Sequence, residues 1–440
     1  MQNLIEDFKN ILTCAIDSVK PVNIFKDAIS LIDNKLIIKE DEFDLGQFEN
    51  IYVIGFGKAS SAMATELENI LYDYITDGVV ITKYGFKTPT RKIKVYEAGH
   101  PVPDENTIKY SKQILRIALK AEVNDLVLCL ISGGGSSLFE VLPEGLSLDD
   151  LKILNDVLLR SGADIFEINL IRKKFSLVKG GKLLKELYPA SCISIIISDV
   201  IGDDLSTIAS GPTFLSSTEE NKTKRIETIY NLKEILPERF VKLLKKNNQN
   251  IFLDSLKTYY QSKIKNYIVA SNQIALEKAK EIATLLGYNT RILNNSMQGE
   301  ARIIAENFVD EMVRIRKDNK NLLPVCLLMG GETTVTVKGK GIGGRNLEFA
   351  LACLIKIMKL NLDFEFLISS VATDGNDGMT DAAGAIVNLD LLKRINSLNI
   401  NPEEYLSNND SYTFFNQVDA LLRLNSTFTN VMDIVICLMK

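Results

Sequence analysis

Histidine is nearly missing from this chain of 440 residues: His100 is the only one. That excludes a metal site built from several histidines and a two-histidine proton relay. Any metal must take oxygen ligands, which points to Mg2+ or Mn2+. Cysteine is sparse as well, with six residues far apart at 14, 129, 192, 326, 353 and 437 and no C-x-x-C pair. Several sit inside apolar runs, the pattern of reduced core thiols in a cytosolic protein rather than of a disulfide framework. No apolar stretch approaches the ~20 residues of a membrane span. A basic excess is also lacking: the net charge is −5, and pairs such as Lys173-Lys174 and Lys245-Lys246 never grow into a long block. A nucleic-acid-binding domain should look basic, so neither nucleic acid nor membrane is expected as a partner. The start, Met1-Gln2-Asn3-Leu4-Ile5-Glu6-Asp7, is acidic early and reads as an amphipathic helix, not a signal peptide. A cytoplasmic location is the expectation.

What is present belongs to a globular protein, with 46% hydrophobic and 24% charged residues. The length exceeds one ordinary core, so two domains are expected. Strand and helix patterns alternate. Strands are expected at 51–54, 78–82, 93–96, 125–131 and 193–197, and again at 267–270, 290–293, 325–329, 333–337 and 364–372. Helices are expected at 58–71, 107–119, 148–159, 180–187, 273–286, 300–316 and 347–359. Continuous apolar strands between helices argue a mostly parallel sheet covered on both faces. From Glu219 to Leu256 the chain is polar and helical, and the change of domain falls there.

Five segments carry chemistry. Gly55-Phe56-Gly57-Lys58-Ala59-Ser60 follows a strand and opens a helix. Ser60 replaces the third glycine of a dinucleotide fingerprint, so that match is weak. Lys58 in the first helical turn joins its charge to a helix end that already favours anions; the alternative is a solvent-facing lysine after a tight turn. Ser132-Gly133-Gly134-Gly135-Ser136-Ser137 ends a strongly apolar strand, where open α/β sheets bind ligands. Its glycines let backbone N–H groups approach an anion, and its serines add hydroxyl donors. It is neither a Walker A loop nor a G-x-S-x-G elbow. Ser198-Asp199-Val200-Ile201-Gly202-Asp203-Asp204 crowds three carboxylates after a strand, which suits a cation, or a helix cap for Asp203 or Asp204. Gly99-His100-Pro101-Val102-Pro103-Asp104 is a loop stiffened by two prolines; a lone histidine there reads as structural.

The densest segment runs from Gly330 to Gly384. Gly330-Gly331-Glu332-Thr333-Thr334 is followed by Gly341-Ile342-Gly343-Gly344-Arg345-Asn346 and then by Thr373-Asp374-Gly375-Asn376-Asp377-Gly378-Met379-Thr380-Asp381. Arg345, at an expected helix start, can fork onto a carboxylate or phosphate, or form a salt bridge. Asp374 and Asp377 can gather around Mg2+ from a loop. Glycines, acids and an arginine together suit a polyphosphate with its magnesium, so phosphoryl transfer is the expected chemistry.

In this order the motifs resemble the class II glycerate kinases, the family with a C-terminal MOFRL domain, over most of the chain. The resemblance implies a Rossmann-like parallel-sheet α/β/α domain at 1–255 and a smaller α/β domain with a mixed sheet at 256–440, with the active site in the cleft between them. It implies ATP-dependent phosphorylation of D-glycerate, usually at the 2-hydroxyl, with Mg2+ as the metal. Lys58 and Arg345 match the family's proposed catalytic lysine and arginine. Gly57, Ser132, Gly133, Gly134, Gly135, Ser136, Ser137, Glu332 and Asn346 are then the expected substrate and nucleotide contacts, and Asp199, Asp203, Asp374 and Asp377 the expected metal ligands. Partners are small molecules, glycerate and ATP, with a homodimer as an allowed assembly. Two departures stand out. Asn425-Ser426-Thr427-Phe428-Thr429-Asn430-Val431 replaces a Gly-Pro-Thr-Gly-Thr-Asn-Val run, and Lys174 stands where a histidine often follows Arg172-Lys173. Two other readings remain at this point: an NAD(P)-dependent hydroxypyruvate reductase, and a non-catalytic protein that binds a sugar acid or nucleotide on the same fold.

Overall fold

The computed structural model describes residues 3–215, 219–245, 257–318, 323–362, 364–398 and 400–440. The chain forms two compact units. The first contains Ile24–Ser198 and Asp203–Val269; the second contains Met1–Asn23, Asp199–Gly202 and Ala270–Lys440. The division is therefore not linear, because the amino-terminal segment belongs with the carboxy-terminal half. The expected boundary at 255/256 lies outside the described residues.

In the first unit, β1 (Ile29–Ile32), β2 (Lys35–Ile38) and β3 (Asp41–Asp44) form a small antiparallel sheet. Asp33 and Asn34 both take positive φ in the two-residue turn between β1 and β2, the conformation such hairpins need. The main sheet contains β4 (Ile51–Phe56), β5 (Ile75–Lys83), β6 (Ile93–Ala98), β7 (Leu126–Ile131), β8 (Ser191–Ile197) and β9 (Ile264–Ala270), in the order β6-β5-β4-β7-β8-β9. The pairs β4–β5, β5–β6, β4–β7 and β7–β8 are parallel. Every residue of β4, β7 and β8 is buried, which is why these strands read as unbroken apolar runs. The register pairs Phe56 with Ile131 and Ile131 with Ile196. The loops that follow these strands consequently leave the sheet at one carboxyl edge. Helix Ser60–Leu71 buries Met63, Ala64, Leu67 and Leu71 at helical spacing. The polar stretch after Glu219 is helical at Glu219–Ile229, Leu232–Ile235 and Glu238–Lys245, and Leu232 and Phe240 pack there with Leu154, Leu158 and Ile171.

The second unit has a mixed sheet of β10 (Asn289–Met297), β11 (Val325–Gly331), β12 (Phe366–Ala372), β13 (Gly384–Asn388), β14 (Leu421–Leu422) and β15 (Asp433–Met439), in the order β10-β11-β15-β12-β13-β14. Only the β10–β11 pair is parallel among these neighbours. Helix Arg345–Leu360 is buried at every position from Asn346 to Ile355. Its N-terminus carries the glycines and the arginine of the densest motif.

One expected strand is absent. At 333–337 only Thr334 pairs, in an isolated bridge with Glu300. The backbone donors nearby are satisfied by side chains instead. Thr336 N–H donates to the Glu300 carboxylate, and Lys338 and Gly339 N–H donate to Asn409 Oδ1. The alternating Thr-Val pattern is real, but among the described residues only the bridge to Glu300 pairs with it, and no ladder forms.

All six cysteines are free, and five of them are buried. Burial pushes the Cys192 thiol up to about 12 and raises the other four buried thiols as well, so these five are inert core groups. No described helix is long and apolar enough to cross a membrane.

Candidate functional site

At the carboxyl edge of the first unit's sheet, three loops meet. Gly57 takes φ +130°, and a Cβ there would lie 2.2 Å from Ser132 Oγ and 2.4 Å from Ser132 O. Only glycine allows the β4 and β7 loops to touch this closely. Ala59 N–H donates to Ser132 Oγ at 2.9 Å, and Lys58 N–H donates to Gly133 O at 2.8 Å. Ser60 Oγ donates to Gly57 O and Ile81 O. Lys58, half-buried, is thus tied through its own backbone to the glycine loop. Gly134 takes φ +77°, and a Cβ there would lie 2.7 Å from His100 Nε2 and 3.3 Å from Lys58 Cγ. His100 therefore joins this cluster, a placement that a lone histidine in a proline-rich loop does not reveal in the sequence.

Gly135 opens a short helix, Gly135–Leu138, and is crowded by Ala209 Cβ. Ser136 Oγ pairs with Ser210 Oγ at 2.8 Å, and Ser137 Oγ donates to Gly134 O at 3.0 Å. Two of the expected hydroxyl donors are therefore engaged within the protein. Just beyond, Glu140 pairs with Lys179, and both side chains are fully buried. Burial pulls the Lys179 ammonium down to about 8 despite the attraction of Glu140. Lys182 Nζ donates to Lys173 O and Ser176 O, each at 2.7 Å. Lys174, the departure from the family pattern, pairs with the buried Glu227 carboxylate.

In the second unit the arginine motif forms one connected network. Arg345 Nε donates to Asp433 Oδ2 at 2.6 Å and Nη2 to Asp433 Oδ1 at 2.9 Å. Its Nη1 lies 2.6 Å from Glu332 Oε1. The fork expected to grip a ligand is thus closed on a protein carboxylate, and Nη1 is the arm on the exposed Glu332. Burial alone would lower the guanidinium pKa, but Asp433 and Glu332 hold it above its ordinary value. Asp433 is completely buried at the head of β15. Sequence reasoning misses it. The available signal is a single acid opening an otherwise apolar run, Asp433-Ile434-Val435-Ile436-Cys437-Leu438-Met439.

Asn346 Nδ2 donates to Asp433 Oδ1 at 3.0 Å, and Asn346 Oδ1 accepts from Ser370 Oγ at 2.6 Å. Asn346 N–H and Leu347 N–H donate to the two oxygens of Asp377 at 3.1 and 2.8 Å. Asp377, expected as a metal ligand, thus accepts the first backbone donors of helix Arg345–Leu360 with both of its oxygens. A Cβ on Gly344 would fall 2.3 Å from Asp377 Cγ, so this contact requires glycine before Arg345. Burial pushes the Asp377 carboxyl up to about 6, while the Leu347 amide favours its charged form. Asp374 is half-buried and accepts from Asn376 N–H at 3.2 Å. Asp381 is committed to Tyr412 Oη and Arg423 Nε. The altered loop lies beside Asp374, since a Cβ on Gly375 would lie 3.5 Å from Asn425 O.

Of the acids after β8, Asp199 groups with the second unit and Asp203 with the first. Asp204 closes a local turn, accepting from Ser206 N–H at 3.0 Å, Ser206 Oγ at 2.7 Å and Thr207 Oγ1 at 2.8 Å, while the short helix Ile208–Ser210 starts at Thr207 without a side-chain cap. Among the described residues, no three His, Cys, Asp or Glu side chains converge as a metal cage. A magnesium ion bound through nucleotide phosphates and water needs only one or two carboxylates. The donors present fit that kind of ion, and Asp374, Asp199 and Asp203 are the carboxylates that would hold it.

The sheet topology and loops define a two-unit α/β protein with glycine-rich loops at the carboxyl ends of its strands. Two family profiles match this chain: a domain of unknown function, DUF4147, over residues 7–245, and the MOFRL family over residues 325–433. The chain is 41% identical to a glycerate 2-kinase of Pyrococcus horikoshii, covering 96% of this chain and 94% of that protein. It is 38% identical to a D-glycerate 2-kinase of Thermotoga maritima, covering 94% and 96%. The crystal structure of a glycerate kinase from Thermotoga maritima superposes with a TM-score of 0.82 at 34% identity, over 99% of both chains. The chain belongs to the glycerate kinase family with a MOFRL domain.

Proposed function

We propose that the chain is a glycerate 2-kinase that transfers the γ-phosphoryl group of ATP to the 2-hydroxyl of D-glycerate with Mg2+, in the cytoplasm. The observation that carries this reading is the convergence of Lys58 with the Ser132–Gly134 loop at the carboxyl edge of a parallel sheet. It occurs in a chain 41% identical to a glycerate 2-kinase. Phosphoryl transfer asks the protein mainly for positioning and charge stabilisation. The Lys58 stem passes Gly134, so its ammonium would work with the backbone amides of the glycine loop on one oxyanion. Arg345, fixed by its fork on Asp433, offers Nη1 to the transferring phosphoryl group once Glu332 gives way. Magnesium, when bound, supplies charge screening of the nucleotide phosphates, and Asp374, Asp199 or Asp203 would hold it. One of these acids takes the proton of the glycerate hydroxyl.

The reductase reading is weakened by the Gly55-Phe56-Gly57 turn. Its glycine face packs on Ser132, and Ser60 caps the turn where a third glycine would stand. A pyrophosphate needs that approach open. Incubation with ATP, Mg2+ and D-glycerate, followed by phosphorus NMR of the product, tests the proposal. The expected product is 2-phosphoglycerate. Absence of any phosphoglycerate across the pH range sinks the reading, and NADH oxidation with hydroxypyruvate replaces it with the reductase. Ligand binding without turnover replaces it with the non-catalytic binding protein.

A further inference from the structure

The loop that carries His100 is held at both ends. Gly99 is packed so tightly that a Cβ would lie 2.6 Å from Val102 O. Asp104 closes the loop by capping helix Glu105–Ala118 in a reciprocal box with Thr107, and it accepts from Tyr84 Oη at 2.6 Å. Such double anchoring fixes where the imidazole stands. Its Nε2 edge reaches the glycine loop from β6, across the end of the sheet, and meets Gly134 on the side where the Lys58 stem also lies. His100 is half-buried, not sunk in the hydrophobic core. As the single histidine of the chain it has no second imidazole with which to build a nitrogen-ligated metal site. An imidazole nitrogen beside a lysine and a glycine loop is instead a donor set for an oxyanion.

We propose that His100 is a further ligand-contacting residue of the first unit, and that its Nε2 and Lys58 share one oxyanion, either the carboxylate of glycerate or a phosphate oxygen of the nucleotide. This rests on the kinase reading for the identity of the ligand, not for the existence of the oxyanion site.

The single histidine makes the test unambiguous. The full-length protein is produced with isotope-labelled histidine, so its NMR spectrum contains one imidazole. D-glycerate, Mg2+-ATP and inorganic phosphate are then added in separate titrations. The expected result is a saturable shift of the Nε2 signal with at least one of them. Saturation by D-glycerate assigns the carboxylate, and saturation by Mg2+-ATP or phosphate assigns the phosphate. His100→Ala should raise KM for that same ligand about tenfold, the scale of one lost hydrogen bond to a charged group. His100→Gln, which keeps an N–H donor at similar reach, should recover part of the loss. A merely structural histidine would give neither the ligand-specific KM effect nor the rescue. An imidazole signal that ignores all three ligands while wild-type turnover is normal overturns the proposal alone. Wild type without phosphoglycerate formation, but with an imidazole that responds to phosphate, overturns the kinase reading and leaves the oxyanion site standing.

Discussion

Lys58 and Arg345 are expected from the same family resemblance, yet their side chains stand in different physical situations. Lys58 is half-buried beside a glycine loop. Arg345 is the partner of a completely buried carboxylate, Asp433. Truncating one member of a buried ion pair leaves the other charge uncompensated, which costs about 3–5 kcal/mol. The two alanine variants should therefore separate. Lys58→Ala should lose most of kcat while its urea denaturation midpoint stays near wild type. Arg345→Ala should lose kcat and also unfold at clearly lower urea. Arg345→Lys should keep a charge near Asp433 but lose the fork, and so recover part of the stability and little of the activity. Near wild-type turnover in Lys58→Ala would remove that lysine from the mechanism. Unchanged stability in Arg345→Ala would mean that Asp433 finds another partner.

The start of helix Arg345–Leu360 is where the glycines, Asp377 and the arginine become one element. Folding raises the Asp377 carboxyl from 3.8 to about 6, chiefly by burial. Between those two values the folded chain keeps a proton that the unfolded chain has released. Stability from this group is thus present at low pH and falls as pH rises through about 6. The loss is about 3 kcal/mol at ~1.4 kcal/mol per pKa unit. The amide introduced by Asp377→Asn cannot ionise, so the stability difference between wild type and variant should shift by that amount between pH 3 and pH 7. Urea titrations of both proteins at each pH measure it, and a pH-independent difference would show that Asp377 is ionised throughout. This element also marks what the sequence makes readable. The parallel strands β4, β7 and β8 announce themselves because both faces are buried and every residue is buried with them. The Gly343-Gly344-Arg345-Asn346 motif announces a helix start. The assignment of Asp377 to the backbone amides of that helix is not legible, because a carboxylate bound to amides and one bound to a metal look alike as letters. Asp433 is hidden for a related reason: its partner Arg345 is 88 residues away in the chain. At 333–337 the local alternation misleads, since a strand is defined by a continuous ladder, and among the described residues this segment has only the Glu300–Thr334 bridge.

For the whole molecule, the important departure from linear order is the amino-terminal segment. Helix Leu4–Asp17 buries Phe8, Ile11, Leu12, Ala15 and Ile16 within the second unit. Tyr288 Oη donates to the buried Asp7 carboxylate at 2.7 Å, and Thr429 Oγ1 donates to Val19 O at 2.6 Å. The second contact ties the segment to the loop that departs from the family pattern, beside Gly375 and Asp374. Hydrophobic pattern alone points to the helix but not to its destination, because an amphipathic face does not say which half of the chain covers it. Removing residues 1–23 from the full chain should therefore act at a distance in sequence. Hydrogen exchange should quicken in helix Asn272–Leu285, which packs on Leu4–Asp17, and in the loop at 425–431. Strands β4 and β7 of the first unit should keep their protection, because stability is distributed in cooperative units and not uniformly. If loss of the segment instead loosens β4 and β7 first, the amino-terminal helix supports the first unit, and the assignment drawn from its buried contacts is wrong.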